Sequence, residues 1–166
     1  MPAIRFAWLV ILAFIPQFLT VYLPASRLSL PDEWAAASII GSQVLLLVFC
    51  WLNRRVPGIV LLAAGLAANL LVITANGGFM PITPETAARL VPEEIMRSLE
   101  IGSRFGWKDI LLLPDATHLL FLSDRLLLPE WFSYQVAFSP GDVLVASGAF
   151  WLMAAGSGSP DPLKRS

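Results

Sequence analysis

Four uncharged apolar stretches follow one another along the chain. They cover residues 6–23, 34–52, 56–75 and 143–155. An apolar α-helix needs about 20 residues to cross the hydrocarbon core of a bilayer. The last stretch is short unless its helix starts at Ser139, which can cap a helix. The pattern predicts an all-α membrane protein with four transmembrane helices, the first kinked at Pro16.

A different pattern lies between the third and fourth stretches, in residues 76–138. Short apolar pieces alternate there with Trp, Tyr, Pro and Asp. Pieces of this length are typical of interfacial or re-entrant segments, and Trp and Tyr favour the headgroup level. Thr83-Pro84 and Pro92 each resemble the start of a helix, and the second helix is expected to run to about Gly102. We predict an external cap that lies on the membrane surface.

Composition agrees with a membrane protein of one domain. The chain is 57% hydrophobic and 14% charged, against about 25% charged residues in soluble domains. We assign residues 1–155 to one four-helix transmembrane domain, and the Gly/Ser/Pro-rich residues 156–166 to a disordered cytoplasmic tail. A net charge of −1 indicates no nucleic-acid partner. The expected partners are membrane lipids and a membrane protein.

Basic residues predict the orientation. Arg54 and Arg55 occupy the tight turn between the second and third stretches, and Lys and Arg concentrate on the cytoplasmic side of membrane proteins. Arg5 and the Lys164-Arg165 pair then also lie inside. The apolar part of the first stretch is longer than the 7–15 residues of a signal-peptide core, so we expect a retained helix. Both termini should be cytoplasmic.

The polar residues near the third stretch have structural and binding interpretations. Gly58, Gly65 and Asn69 recur at helical spacing, which favours close helix contact and an interhelix hydrogen bond. Gly77 and Gly78 permit a left-handed helix end. As a binding hypothesis, Asn76 and the backbone N–H groups of this turn, with Asn69, would contact a lipid headgroup or a carbonyl group.

Two acids and one histidine are the other candidate site residues. Asp142 follows Ser139-Pro140 and forms a predicted capping box at the start of the last helix. For Asp124 the simplest interpretation is a surface pair with Arg125 or a turn cap. His118 has no second His or Cys partner, so we predict a hydrogen-bonded or binding residue in the cap and no metal site. No cofactor is indicated.

Three stretches resemble an uncharacterised bacterial family of small multi-span membrane proteins. They are ANGGFMP at residues 75–81, DATHLLFLSD at 115–124 and FSPGDVLVASG at 138–148. No activity is attached to that family. The resemblance implies a multi-pass protein of the bacterial cytoplasmic membrane.

Residues 138–148 also resemble the last motif of the lipoprotein signal peptidases, in which a Phe-Asn-x-Ala-Asp stretch opens the fourth helix. Ser139 and Gly141 replace the Asn and Ala of that motif, and Asp142 matches its catalytic acid. The second acid of those enzymes would fall on Val72, which cannot replace it. Asp124 would have to supply that acid from the cap.

Two functional hypotheses follow from these patterns. The leading one is a binding or assembly protein without catalysis, whose external cap contacts lipid or a protein partner. The alternative is an intramembrane aspartyl hydrolase in which Asp124 and Asp142 share a proton and activate water. A transporter is disfavoured because the predicted spans carry no charged residues.

The predicted topology is testable with reporter fusions. A reporter fused after Ser166 should be cytoplasmic, whereas one fused after Pro81 should be external, because an odd number of spans separates cap and tail. Alkaline phosphatase and green fluorescent protein activities would measure the two sides. The same side for both fusions would rule out four spans.

Overall fold

The computed structural model of the chain describes residues 4–22, 31–129 and 131–156. Four helices form a bundle: α1 (Trp8–Gln17), α2 (Asp32–Leu52), α3 (Ile59–Ala75) and α6 (Pro140–Gly156). The cap between α3 and α6 contains α4 (Pro84–Ala87), α5 (Glu93–Arg97) and the strands β1 (Met80–Ile82), β2 (Arg104–Phe105), β3 (Asp109–Leu111), β4 (Leu126–Leu127) and β5 (Ala137–Phe138).

The four bundle helices coincide with the four apolar stretches. Among the described residues, one helix, α2, is long and apolar enough to cross a membrane by length and composition, while α1 and α3 are shorter apolar helices. Residues 157–166 of the expected tail, residue 23 at the end of the first apolar stretch and residues 24–30 between the first two stretches lie outside the described residues.

Pro16 disturbs α1 as the sequence predicts. The chain changes to a π-helix at Phe18–Tyr22 directly after Gln17. The Thr20 hydroxyl donates to the Pro16 carbonyl at 2.9 Å and also makes a short contact with Ser38 on α2. Polar side chains therefore join α1 to α2 where proline has interrupted the regular helix.

Glycines bring α3 and α6 together, in the most extensive contact between two elements of the fold. Gly58, directly before α3, lies against the backbone of Gly148 on α6, and Gly65 on α3 lies against the backbone of Gly141. A Cβ atom added at Gly65 would lie 2.7 Å from the Val145 backbone nitrogen. The predicted close helix contact is confirmed, because backbone meets backbone where side chains are missing.

The cap contains β-strands, so the expectation of an all-α fold is wrong for this part of the chain. β1, β3 and β2 form a three-stranded sheet in that order, with β1 parallel and β2 antiparallel to β3, and β4 pairs antiparallel with β5. Ile110 and Leu111 therefore belong to a strand rather than to an interfacial helix. Apolar runs of three or four residues bounded by Pro or charge are long enough for a strand but not for a stable helix.

The predicted helix starts in the cap are confirmed. The Thr83 hydroxyl accepts a hydrogen bond from the Thr86 backbone N–H at the start of α4, with Pro84 in the first turn. α5 starts at Glu93, directly after Pro92, but ends already at Arg97. The helix was expected to reach about Gly102.

A left-handed glycine turn connects the bundle to the cap. Gly77 and Gly78 have φ of 76° and 92°, and the Gly78 N–H bonds the Ile73 carbonyl at 2.9 Å. This bond closes the end of α3 in a Schellman arrangement. β1 therefore begins within five residues of α3, so α3 fixes the position of the cap sheet.

Substitution of Gly65 by Ala should separate α3 from α6. We expect a loss of about 1–3 kcal/mol, because the new methyl group overpacks a backbone contact. Gly41→Ala is the matched control, since no atom lies within 4 Å of its added Cβ. Reversible unfolding in detergent would measure both, and equal stability of the two variants would contradict this packing.

Candidate functional site

A lysine and two acids form a buried cluster in the cap. Lys108 Nζ lies 2.7 Å from Asp124 Oδ2 and 3.5 Å from Asp109 Oδ1. The Asp124 side chain is fully buried, that of Asp109 is 16% exposed and that of Lys108 is 35% exposed. Asp124 was expected either in a surface pair with Arg125 or as a turn cap, and the surface pair is wrong because Asp124 is buried. The sequence interpretation missed Lys108 and Asp109.

The backbone of β1 holds both sides of this cluster. The Met80 N–H bonds the Lys108 carbonyl at 3.0 Å, and the Asp124 N–H bonds the Pro81 carbonyl at 3.1 Å. On one side of β1, Asp124 forms a parallel bridge with Ile82. On the other side, β1 pairs with β3. Lys108 and Asp124 are 16 positions apart in the chain, and they meet because the backbone of each is hydrogen-bonded to β1.

The cluster pairs one cation with two acids. Burial raises the pKa of Asp124 to about 7; the charge of Lys108 lowers this pKa, and the negative charge of Asp109 raises it further. Burial also raises the pKa of Asp109, against the effect of Lys108. Because one lysine does not match the charge of two desolvated carboxylates, we expect the two acids to share a proton and to titrate as a pair.

The same carboxylates stabilise the charge of Lys108. Burial by itself would lower the pKa of this lysine, but the attraction of Asp109, Asp124 and Asp142 raises it above its ordinary value. The two nearby acids therefore favour the charged form of the ammonium group. Asp124 Oδ1 and Asp109 Oδ1 are buried without a hydrogen-bond partner, so both acids retain unused acceptor capacity.

Asp142 occupies a separate ring of hydrogen bonds at the start of α6. Its Oδ2 accepts from the Ser139 N–H at 3.1 Å, and its own N–H donates to Ser139 Oγ at 3.0 Å. This confirms the predicted capping box. Asn69 Nδ2 donates to Asp142 Oδ1 at 2.7 Å, and Ser139 Oγ donates to Asn69 Oδ1 at 2.9 Å. Asn69 therefore joins α3 to α6, as predicted.

Asn76 attaches the end of α3 to the cap backbone. Its amide donates to the carbonyls of Val72 and His118 at 2.7 and 2.9 Å, and its Oδ1 accepts the His118 N–H at 2.9 Å. Both amide hydrogens are thus engaged within the protein. His118 participates through its backbone, while Gly77 and Gly78 form the adjoining turn.

A cleft of about 470 Å³ opens beside the buried cluster. Its lining residues come from three parts of the cap: the α4–α5 region, the β2–β3 hairpin, and the segment before α6. Apolar side chains such as Leu90, Ile95 and Leu99 line part of the cleft. Its charged lining residues are Arg104, Lys108 and Asp109. This volume is within the range of small-molecule sites, about 300–1,000 Å³.

Arg104 fastens this part of the cap to the bundle. Its guanidinium lies 3.1 Å from Asp32 Oδ1 at the start of α2 and donates a hydrogen bond to the Trp107 carbonyl at 3.2 Å. Its Cζ atom lies 5.0 Å from the centre of the Phe79 ring. The side chain is 10% exposed. Arg104 therefore pairs with Asp32, while Lys108 forms the ion pairs with Asp109 and Asp124.

The structure separates the candidate residues into a capping ring and a buried cluster. Asn69 and Asp142 belong to the ring, whereas Asp124 joins Lys108 and Asp109. The available sequence signal for the missed pair was the charged Lys108-Asp109 dipeptide directly before an apolar run. Across the described ranges, no three His, Cys, Asp or Glu side chains group as a metal site would require.

The comparisons identify a family but no activity. The profile of a family of unknown function, DUF5317, matches residues 2–154, so the chain belongs to this family. An uncharacterised protein of Thermotoga maritima is 27% identical over 117 residues, which are 70% of this chain and 62% of that protein. The match therefore covers less than two thirds of the relative's length. No solved structure matches the chain.

The shared proton predicts a pH-dependent stability. The folded pKa of Asp124, about 7, exceeds its ordinary value of 3.8, so the folded state binds more protons than the unfolded state between these values. Stability from this group is therefore greatest below about pH 4 and is lost as the pH rises towards about 7. The Tm should fall across this window.

Asp124→Asn should flatten that dependence, because Asn does not titrate and Lys108 retains Asp109 as its partner. Asp115→Asn, an exposed acid on the turn Pro114–Ala116, is the matched control and should keep the parental slope. Thermal unfolding in detergent at several pH values measures the slopes. An unchanged slope in Asp124→Asn would contradict the shared proton.

Proposed function

We propose that this DUF5317 member is a multi-pass protein of the bacterial cytoplasmic membrane, with four spans and both termini inside. Its external cap serves as a binding module for membrane lipid, with a neighbouring membrane protein as the second candidate partner. The main support is the combination of an apolar outer bundle surface with a cleft beside buried charges in the cap.

Large apolar side chains on the outside of the bundle support a membrane location. Exposed fractions reach 67% for Ile11, 64% for Trp51, 65% for Val60 and 70% for Phe150. Inside the bundle, by contrast, Ser38, Ser42 and Asn69 are buried. Water would disfavour so large an apolar surface, whereas lipid tails would solvate it.

The lengths of three bundle helices fall within the range of a membrane span. α2 has 21 residues, and α3 and α6 have 17 each, while a spanning helix needs about 17–25. α1 has 10 residues and the π-helix after it has 5, so this pair is shorter than that range. Arg54 and Arg55 are exposed at the turn between α2 and α3, where the positive-inside preference favours the cytoplasmic side.

The cap supports binding more than catalysis. Both Asp142 oxygens accept hydrogen bonds that also hold the start of α6, which favours a structural role. The hydrolase alternative would use Asp124 and Asp142, and its support is that the Asp142 charge helps raise the pKa of Asp124. Asp109, however, raises the pKa of Asp124 more than Asp142 does, which favours Asp109 over Asp142 as the partner of Asp124.

Lipid and partner binding can be measured directly. The protein, extracted from membranes in a mild detergent, should retain lipid or a partner chain when analysed by native mass spectrometry. Recovery in the soluble fraction without detergent would contradict the membrane location. A lipid-free monomer without partner would contradict the binding role.

Substitutions of Asp142 distinguish a binding protein from an aspartyl hydrolase. Asp142→Asn should keep the protein folded and its retained lipid unchanged, because the amide oxygen can still accept one of the capping hydrogen bonds. Asp142→Ala should lose about 0.5–2 kcal/mol of stability, since it removes the cap partner and the favourable contact with the helix dipole.

Thermal unfolding and native mass spectrometry of both variants provide the comparison. An acid–base mechanism, in contrast, would not survive Asp142→Asn, because Asn does not titrate. Loss of retained lipid in Asp142→Asn at unchanged stability would contradict the structural role of Asp142.

A further inference from the structure

The end of the bundle opposite the cap gathers three arginines. Arg54 and Arg55 occupy the turn between α2 and α3, and both are exposed. Arg5, from the segment before α1, is held at the same turn by the Asn53 side chain. The Arg5 N–H donates to Asn53 Oδ1 at 2.7 Å, and Asn53 Nδ2 donates to the Arg5 carbonyl at 2.9 Å. Residues 48 positions apart in the chain therefore meet at one end of the bundle.

The Asn53 side chain fixes this contact from inside the fold. It is buried, and its amide nitrogen also donates to the Phe49 carbonyl at 2.9 Å. Phe6, directly after Arg5, has φ of 56°, in the left-handed region that bulky residues rarely adopt. Such a conformation persists only where the surrounding contacts determine it. The segment before α1 is therefore held in one place against the α2–α3 turn.

Aromatic rings hold two of the three guanidinium groups. Arg54 Cζ lies 4.9 Å from the centre of the Trp51 ring, and Arg54 Nη1 donates to the Trp51 carbonyl at 3.0 Å. Arg5 Cζ lies 5.6 Å from the centre of the Phe6 ring. Both rings are exposed. Because aromatic side chains favour the headgroup level of a bilayer, a guanidinium that lies over such a ring is placed at the same level.

The acidic residues of the bundle lie at its other end. In the described parts of the four bundle helices, the acids are Asp32 and Glu33 at the start of α2 and Asp142 near the start of α6. α2 has 21 residues, about 30 Å at 1.5 Å per residue, so its two acids lie far from the arginine turn. The ion pairs among the described residues involve other cations, namely Arg97, Arg104 and Lys108. Within the described ranges, the three arginines therefore have no acidic partner.

We infer that Arg5, Arg54 and Arg55, the arginine cluster, bind the phosphate of an anionic phospholipid in the inner leaflet. A guanidinium group carries five N–H donors in a planar fork that matches phosphate oxygens. A zwitterionic headgroup would bring its own cation to the cluster, so a lipid with net negative charge should be preferred. This site rests on the proposed membrane location and is separate from the cleft of the cap.

The position of the arginine cluster favours a lipid over a soluble phosphate compound. Each of the four bundle helices exposes a large apolar side chain near this end of the bundle: Trp8, Trp51, Val60 and Trp151. Acyl chains can therefore contact the bundle while the phosphate group meets the arginines. A soluble phosphate compound would use the arginines but leave this apolar surface uncovered.

Native mass spectrometry of the protein released from nanodiscs of phosphatidylglycerol and phosphatidylcholine tests this site. The lipid that stays bound should be enriched in phosphatidylglycerol. Arg54→Gln and Arg55→Gln should each reduce the enrichment by about fivefold, as expected for one cationic contact at a membrane surface. Arg97→Gln, which removes an exposed arginine of the cap, is the matched control and should keep the parental enrichment.

Asn53→Ala distinguishes an assembled site from a diffuse attraction between charges, because it removes no charge. It should release Arg5 from the turn and reduce the enrichment, whereas a diffuse attraction would leave the enrichment unchanged. Arg5→Gln removes the same cationic contact without altering Asn53, so it tests the site even if Asn53→Ala does not fold. In a folded Asn53→Ala protein, Arg5→Gln should have little additional effect, since the two changes disrupt one contact.

Equal retention of the two lipids by the parent protein, or parental enrichment in Arg5→Gln, Arg54→Gln and Arg55→Gln, would overturn the arginine cluster as a lipid site. Either result would leave the proposed lipid binding by the cap intact. Displacement of the bound phosphatidylglycerol by an equimolar amount of glycerol phosphate, which has no acyl chains, would overturn the lipid source. Recovery of the protein in the soluble fraction without detergent would instead reject the membrane location and this site with it.

Discussion

The interaction between Lys108 and two buried carboxyls is the constraint on which the cap depends. Lys108 directly precedes β3 and Asp109 begins it. Asp124 lies on the other side of β1, and the backbone of β1 hydrogen-bonds to both segments. Removing the lysine would leave two desolvated acids without a cation, an arrangement that costs several kcal/mol in proteins. The cluster therefore joins these segments of the cap and places one cation against two acids.

The bundle supplies the rigid base for that cluster. Glycines let α3 and α6 meet at their backbones, and the ring of Asn69, Ser139 and Asp142 closes the same contact at the start of α6. Because β1 begins directly after the glycine turn of α3, helix packing also sets the position of the cap sheet. Stability of the bundle and geometry of the cleft are thus coupled.

Local patterns predicted the helices but not the cluster. The apolar runs of 13 to 20 residues, the Ser139–Asp142 capping box and the Gly77-Gly78 turn depend on neighbours in sequence, so the sequence alone indicates them. The strands of the cap have only two or three residues, too few to show a period. Asp124 meets Lys108 through pairing with β1, a non-local contact that no spacing indicates, and it was therefore placed at the surface.

The most direct test of this account is the titration of the Asp109 and Asp124 carboxyls by ¹³C NMR, with Asp109→Asn and Asp124→Asn used for assignment. We predict that the pair retains one proton well above the ordinary aspartate pKa of 3.8 and releases it near pH 7. Release of both protons near 3.8 would show that Lys108 balances both acids, and the charge deficit would not exist.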